Sequence, residues 1–213
     1  MLFTLIKKDI IIAKSYSLCV VAVAVGLPLL FAWRQPDMGG LYALLSAVLI
    51  SSVAFNLAVS EKENKYPRAT ALLASTPYMR TKIVGAKYSL YILIYLICCA
   101  SFFIESQFIP AISVDSFPMA AAVVFLVQAV GMGIILPIQY KFGYDKTKLL
   151  GFLLFLAPII ITAAEQTTLP ADIANRFDWF SAAAAPAAYI IGVAVWALSL
   201  GISKKIFEKK DLL

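Results

Sequence analysis

The residue types able to carry chemistry are few in this chain, and their spacing suits none of the common reactions. The 213 residues include no histidine, which removes Ser-His-Asp hydrolysis and histidine metal sites together. Cys19, Cys98 and Cys99 fall inside apolar runs without the paired spacing of a zinc site, and they read as small apolar fillers. A phosphate loop needs glycines followed by Gly-Lys-Ser or Gly-Lys-Thr, so that backbone amides and the lysine surround the phosphates. No Gly-Lys pair occurs, so an enzyme is not expected, and any ATP that drives this chain is bound elsewhere.

What remains is neutral polar residues at helical intervals. Ser52, Asn56 and Ser60 recur every fourth residue and share one helix face. Tyr88, Tyr91 and Tyr95 share a face of another helix. Two readings stand side by side. In one, Ser52, Asn56, Tyr91 and Tyr95 line a pathway of hydroxyls and amphipathic rings suited to a partly apolar substrate. In the other, the same groups hydrogen-bond between packed helices while Tyr88 anchors at an interface. Gly131 and Gly133 with Pro137 either let their helix bend or permit close packing.

The elements that position these residues follow from composition. With 62% hydrophobic and 14% charged residues, the chain lacks the roughly one-quarter charged content of a soluble domain. Apolar runs lie near Leu18 to Trp33, Leu41 to Val59, Ser89 to Ile104, Met119 to Ile138, Leu149 to Ala164 and Ser181 to Ile202. A membrane core about 30 Å thick takes about 20 helical residues. The first, third and fifth runs are shorter and must borrow flanking residues. An all-α polytopic membrane protein with six transmembrane helices is expected, as one transmembrane domain over residues 1–213.

Lysine and arginine set the expected orientation, because loops rich in them stay in the cytoplasm. With the amino terminus inside, sixteen of the eighteen lie in inner segments, leaving only Arg34 and Arg176 outside. Aspartate and glutamate divide equally, so the bias belongs to positive charge. Both termini are expected in the cytoplasm, and the pI of about 9.2 is a topology signal that requires no nucleic-acid partner. None of the run interiors contains Asp, Glu, Lys or Arg, which argues against a carrier driven by protons or sodium. Glu105 and Glu165 fall at predicted outer ends, where water is near.

The densest charge lies between the second and third runs. There, Pro67 can begin a helix, Arg68 to Ala74 are mostly good helix formers, and Pro77 stops it. Leu72 and Leu73 need a surface to cover, which favours a short helix along the membrane face over a solvated hairpin. A second helix is expected from about Arg80 through Lys87 into the third span.

Glu61-Lys62-Glu63, then Leu73, Ser75, Pro77, Arg80, Ile83-Val84 and Lys87-Tyr88, resemble the first cytoplasmic loop of membrane subunits from the ABC type-two exporter family. Leu136-Pro137, Tyr140-Lys141-Phe142-Gly143 and Asp145-Lys146 resemble that family's second cytoplasmic loop. The likeness extends to small six-span permeases similar to exporters of phenol-soluble modulin peptides. Lys7-Lys8-Asp9 and Lys209-Lys210-Asp211 fit more weakly, and Thr76 departs from the bulky apolar residue usual before that proline. The resemblance implies cytoplasmic coupling helices in residues 60–88 and 139–148 that dock on ATPase subunits. The implied docking residues are Glu61, Glu63, Arg68, Leu72, Leu73, Ser75, Pro77, Arg80, Lys141, Asp145 and Lys146. It also implies two copies of a separate ATPase subunit holding ATP and Mg, and a second permease copy or close paralogue.

Two flanking segments complete the organisation. Over residues 1–16, Thr4, Lys7, Lys8, Lys14 and Ser15 oppose Leu2, Leu5, Ile6, Ile10 and Ile12, the pattern of an interfacial helix in contact with membrane lipid. Asp9 projects toward the apolar side, where it needs a basic or amide partner from another element unless it snorkels to water. Residues 165–180, with Phe177, Trp179 and Phe180, are either an external loop with aromatic anchors or, as the resemblance implies, a re-entrant lid. The expected function is the permease subunit of an ATP-driven exporter in a bacterial cytoplasmic membrane. Its cargo would be an amphipathic peptide, an antimicrobial compound or a lipid-like molecule. The alternative is a non-transporting scaffold or sensor that recruits a cytoplasmic partner through residues 60–88.

Overall fold

A computed structural model of the chain describes residues 2–12, 14–34, 39–65, 80–109, 114, 116–165 and 185–208. Among them the secondary structure is entirely helical: α1 (Leu2–Ile12), α2 (Lys14–Arg34), α3 (Gly39–Lys65), α4 (Arg80–Phe108), α5 (Phe117–Phe142), α6 (Tyr144–Glu165) and α7 (Ala185–Glu208). Five of these, α2, α3, α4, α5 and α7, are long and apolar enough to cross a membrane. The fifth apolar run lies on α6, whose side chains from 157 onward fall outside the described residues.

The short runs gain length from their flanks. α4 extends over 29 residues because the amphipathic stretch from Arg80 to Lys87 joins the apolar run without a breaker. The expected second loop is helical on both sides of one joint. Gly143, at φ +84°, occupies the left-handed region that glycine adopts without steric cost. Its N–H still donates to the Gln139 carbonyl at 2.9 Å, so α5 is closed off as α6 begins.

α3 is the central helix, packed against α2, α4, α5 and α6, with α1 touching its charged end. The most extensive pairing is between α5 and α7, and glycine makes it close. A Cβ on Gly192 would stand 2.8 Å from the Phe125 ring, and one on Gly133 would stand 3.4 Å from Ser199. Gly131 lies against Leu154 and Gly151 against Leu57 in the same manner. Such small residues let membrane helices approach where burial of apolar surface gives no drive. Leu18, Leu30 and Trp33 on α2, and Ile190, Val193 and Leu198 on α7, point outward. Outward rows of this kind suit lipid.

Two prolines inside helices each lie opposite a serine of a neighbouring helix. Pro28 in α2 has no N–H for the carbonyl of Ala24, and Ser101 Oγ of α4 lies 3.4 Å from that oxygen. Pro137 in α5 likewise leaves the Gly133 carbonyl without its helical donor, and Ser199 Oγ of α7 donates to it at 2.6 Å. The Ser199 hydroxyl thus satisfies a group that lipid cannot, whereas Ser101 shares its one proton with the Cys98 carbonyl at 3.0 Å.

Candidate functional site

Charge collects at one end of the bundle. Glu63, near the end of α3, pairs with Lys87 in the second turn of α4, so the helices on either side of residues 66–79 are fastened together. Lys8 of α1 lies 3.9 Å from Glu63 and 2.9 Å from Asp9. The Lys87 ammonium also stands 5.8 Å from the centre of the Tyr140 ring, which meets Phe207 of α7 edge-on at 5.4 Å. Five helices therefore converge on two cations and two carboxylates.

The Asp9 side chain is 4% exposed, and burial raises its carboxyl pKa above the ordinary value while Lys87 and Lys8 pull it down. The basic influence it needs comes from its own neighbour Lys8 as well as from α4. Buried pairs of this kind contribute more to register than to stability, because desolvation offsets their attraction.

The two segments flanking α6 and α3 meet at the same end. Asn64 Nδ2 lies 3.4 Å from each carboxylate oxygen of Asp145, joining the last turn of α3 to the first turn of α6. Asp145 also places negative charge at the start of α6, where the helix dipole favours it. Glu61 pairs with Lys65 at 2.7 Å along α3 in an exposed position, a contact of little energetic weight. Lys141 and Lys146 are exposed. Arg80 opens α4, but its side chain lies outside the described residues, as do Arg68, Leu72, Leu73, Ser75 and Pro77 entirely. Residues 166–180 lie outside them as well.

A seam of neutral polar groups runs between α3, α4 and α5. The Tyr91 hydroxyl donates to Asn56 Oδ1 at 2.8 Å, and Asn56 Nδ2 donates to Gln139 Oε1 at 3.2 Å. Ser60 joins both Asn56, at 3.4 Å, and Gln139 Nε2. One level further along, Gln128 Nε2 donates to Ser52 Oγ at 3.0 Å and to the Tyr91 carbonyl at 3.1 Å. The Tyr95 hydroxyl donates to the Ala121 carbonyl at 2.9 Å. Tyr88 lies outside the seam, with Ser199 and Ser203 of α7 each 2.7 Å from its hydroxyl.

The structure thus brings Ser52, Asn56, Tyr91 and Tyr95 together in a buried interior, where each has a partner on another helix. Sequence reasoning missed Gln128 and Gln139, the amides that complete the seam. Their separation of eleven residues, three helical turns, was the available signal, since it puts both on the face of α5 that holds Met132 and Ile135.

Glu105 differs from its expectation. It was expected near water, yet both carboxylate oxygens are buried and have no hydrogen-bond partner among the described residues. α4 continues to Phe108, and Phe117 at the start of α5 stacks on Phe102, one helical turn from Glu105, with ring centres 6.3 Å apart.

The model of one protein family, described as ABC-2 family transporter protein, matches residues 4–208. Comparison with curated proteins gave no match, nor did comparison with solved structures. The matched residues run from α1 to the end of α7 and include the charged end, the polar seam and the paired prolines, so the chain belongs to the ABC-2 family of transporter proteins, as the membrane-spanning permease subunit of an ABC transporter.

Proposed function

We propose that this permease subunit exports an amphipathic cargo from the cytoplasm of a bacterium, driven by ATP hydrolysed on two copies of a partner ATPase. Permeases of this family generally work with a separate ATPase subunit. In this reading six helices span the cytoplasmic membrane with both termini inside. α1 lies along the inner lipid surface, and a second permease copy or close paralogue completes the pathway. ATP and Mg stay on the partner.

The observation that carries the reading is the contact of Asn64 with Asp145. It brings the segments around 60–88 and 139–148 to one end of the bundle, so a single ATPase can touch both. Residues 66–79 supply the apolar contact through Leu72 and Leu73. Glu61, Arg68, Ser75, Pro77, Arg80, Lys141, Asp145 and Lys146 supply the rim. Glu63, paired with Lys87, transmits movement of that segment into α3 and α4, because neither helix can tilt without separating a half-buried charge pair.

The cargo assignment rests on the neutral seam. Ser52, Asn56, Tyr91 and Tyr95 line a route in a conformation where α5 moves off α3 and α4, exchanging bonds between helices for bonds to an amphipathic peptide, antimicrobial or lipid-like molecule.

Purification of the tagged protein in mild detergent from its native host tests the partnership. A stoichiometric ATPase subunit is expected with the native protein and is expected to be lost with Leu72→Asp. Recovery without an ATPase contradicts the transporter reading and leaves a scaffold or sensor; retention by the variant contradicts the docking role.

A further inference from the structure

Glu105 lies roughly 27 Å along α4 from Lys87, eighteen residues at about 1.5 Å each, and so at the opposite end of the bundle from the charged cluster. Lys8, Asp9, Glu63 and Lys87 answer one another there. At Glu105 both carboxylate oxygens are shielded, with no hydrogen-bond partner among the described residues. The helical interval places Glu105 on the face of α4 that carries Cys98 and Phe102, at 0% and 1% exposure. This face is turned toward the bundle, and Phe102 is stacked on Phe117 beside it.

An ionised carboxylate in such surroundings costs several kcal/mol unless a cation meets it. Its backbone carbonyl accepts from Ile109 N–H at 2.9 Å, while its side chain makes no hydrogen bond to a neighbouring helix among the described residues. A shielded carboxylate without an internal counter-charge is a group that an ammonium ion can meet.

We infer that Glu105, on the face of α4 that carries Phe102, is the site at which this permease receives a primary ammonium group carried by its cargo. The inference rests on the exporter reading and narrows it, making the preferred cargo a cationic amphipathic peptide. Its chemistry is shared by one other source in a membrane, the ammonium of an ethanolamine headgroup, and the experiment separates the two.

The complex of permease and ATPase is reconstituted in vesicles of phosphatidylcholine and phosphatidylglycerol, which lack primary amines. Two labelled amphipathic peptides are supplied that differ only in carrying lysine or acetyl-lysine. The native complex is expected to move the lysine peptide faster, and Glu105→Gln is expected to slow that peptide about tenfold while changing the acetylated one less than about twofold, the loss of one charge pair. Equilibrium binding of both peptides to the native and Gln complexes is measured in detergent alongside transport. Equal binding of the two peptides, unchanged by Glu105→Gln, overturns the inference whether or not the vesicles transport. Absence of ATP-driven movement of either peptide, with lysine-selective binding retained and lost in the variant, contradicts the exporter reading while upholding the site. If added phosphatidylethanolamine stimulates the ATPase only when Glu105 is present, and the peptides are not distinguished, the site belongs to lipid and the cargo assignment falls.

Discussion

Ser199 of α7 donates its hydroxyl to the carbonyl of Gly133 at 2.6 Å, the oxygen that Pro137 deprives of its helical partner. Tyr88 of α4 meets the same hydroxyl at 2.7 Å. At its internal proline α5 is thereby bonded to α7, and Tyr88 of α4 supports the same hydroxyl. Removing the hydroxyl by Ser199→Ala is expected to cost about 1 kcal/mol. In Pro137→Ala, where the Gly133 carbonyl regains a helical donor, the same removal is expected to cost less. A double-mutant cycle of detergent-solubilised unfolding reads the difference, and strict additivity contradicts the link.

The Glu63 and Lys87 pair is half-buried, with side chains 24% and 11% exposed, and is expected to be energetically coupled. Lys87→Met leaves Glu63, among the described residues, with the more distant Lys8 and is expected to destabilise by about 1 to 3 kcal/mol. Combining it with Glu63→Gln is expected to recover part of that loss. A double variant that unfolds as readily as the two single losses combined would show that the pair is not coupled.

Asp9 predicts a pH dependence of definite sign. Its carboxyl pKa is raised in the folded protein, so folding favours the protonated form. That stabilisation is complete below the unfolded-state pKa and is lost as pH rises through the folded value. Asp9→Asn is therefore expected to unfold at a higher temperature than the native protein at pH 7, with the gap closing on acidification toward about pH 4. A less stable Asn variant at pH 7 would mean that attraction to Lys8 and Lys87 outweighs the burial cost.

Glycines divide by what faces them. Gly192 has the Phe125 ring at 2.8 Å from any added Cβ, whereas Gly201 has nothing within 4 Å. Gly192→Leu is expected to cost about 1 to 3 kcal/mol through overpacking of α5 on α7. Gly201→Ala is expected to be neutral or to stabilise by up to about 1 kcal/mol through helix propensity. Thermal midpoints of the two variants, compared with the native protein, check the contrast, and similar values for both would contradict the close approach.

Helix positions were the legible part of the fold, since hydropathy in a membrane chain reports directly on burial in lipid. The interval of Ser52, Asn56 and Ser60 likewise told which residues share a face. It could not tell what they face, because a hydroxyl that lines a pathway and one that joins two helices have the same periodicity. Glu63 and Lys87 were legible as charge near the membrane surface, but their pairing depends on how α3 returns beside α4, which no local pattern encodes. Glu105 misled for a related reason. Its place near the end of an apolar run suggests water, whereas the shielding of its carboxylate oxygens depends on tertiary packing that no local pattern encodes.

Asn56 links the seam to function. It holds Tyr91 and Gln139 at once, so Asn56→Leu is expected to lower thermal stability and transport together in this packed state. Loss of transport at unchanged stability would assign Asn56 to cargo contact alone.

The most direct test of the account is ATP-driven movement itself. Inside-out vesicles containing the permease and its ATPase are expected to accumulate a labelled amphipathic peptide when ATP is added, and to stop doing so in Leu72→Asp with the permease still inserted. ATP hydrolysis without accumulation, or accumulation that ignores both ATP and Leu72→Asp, would contradict an exporter driven through residues 60–88.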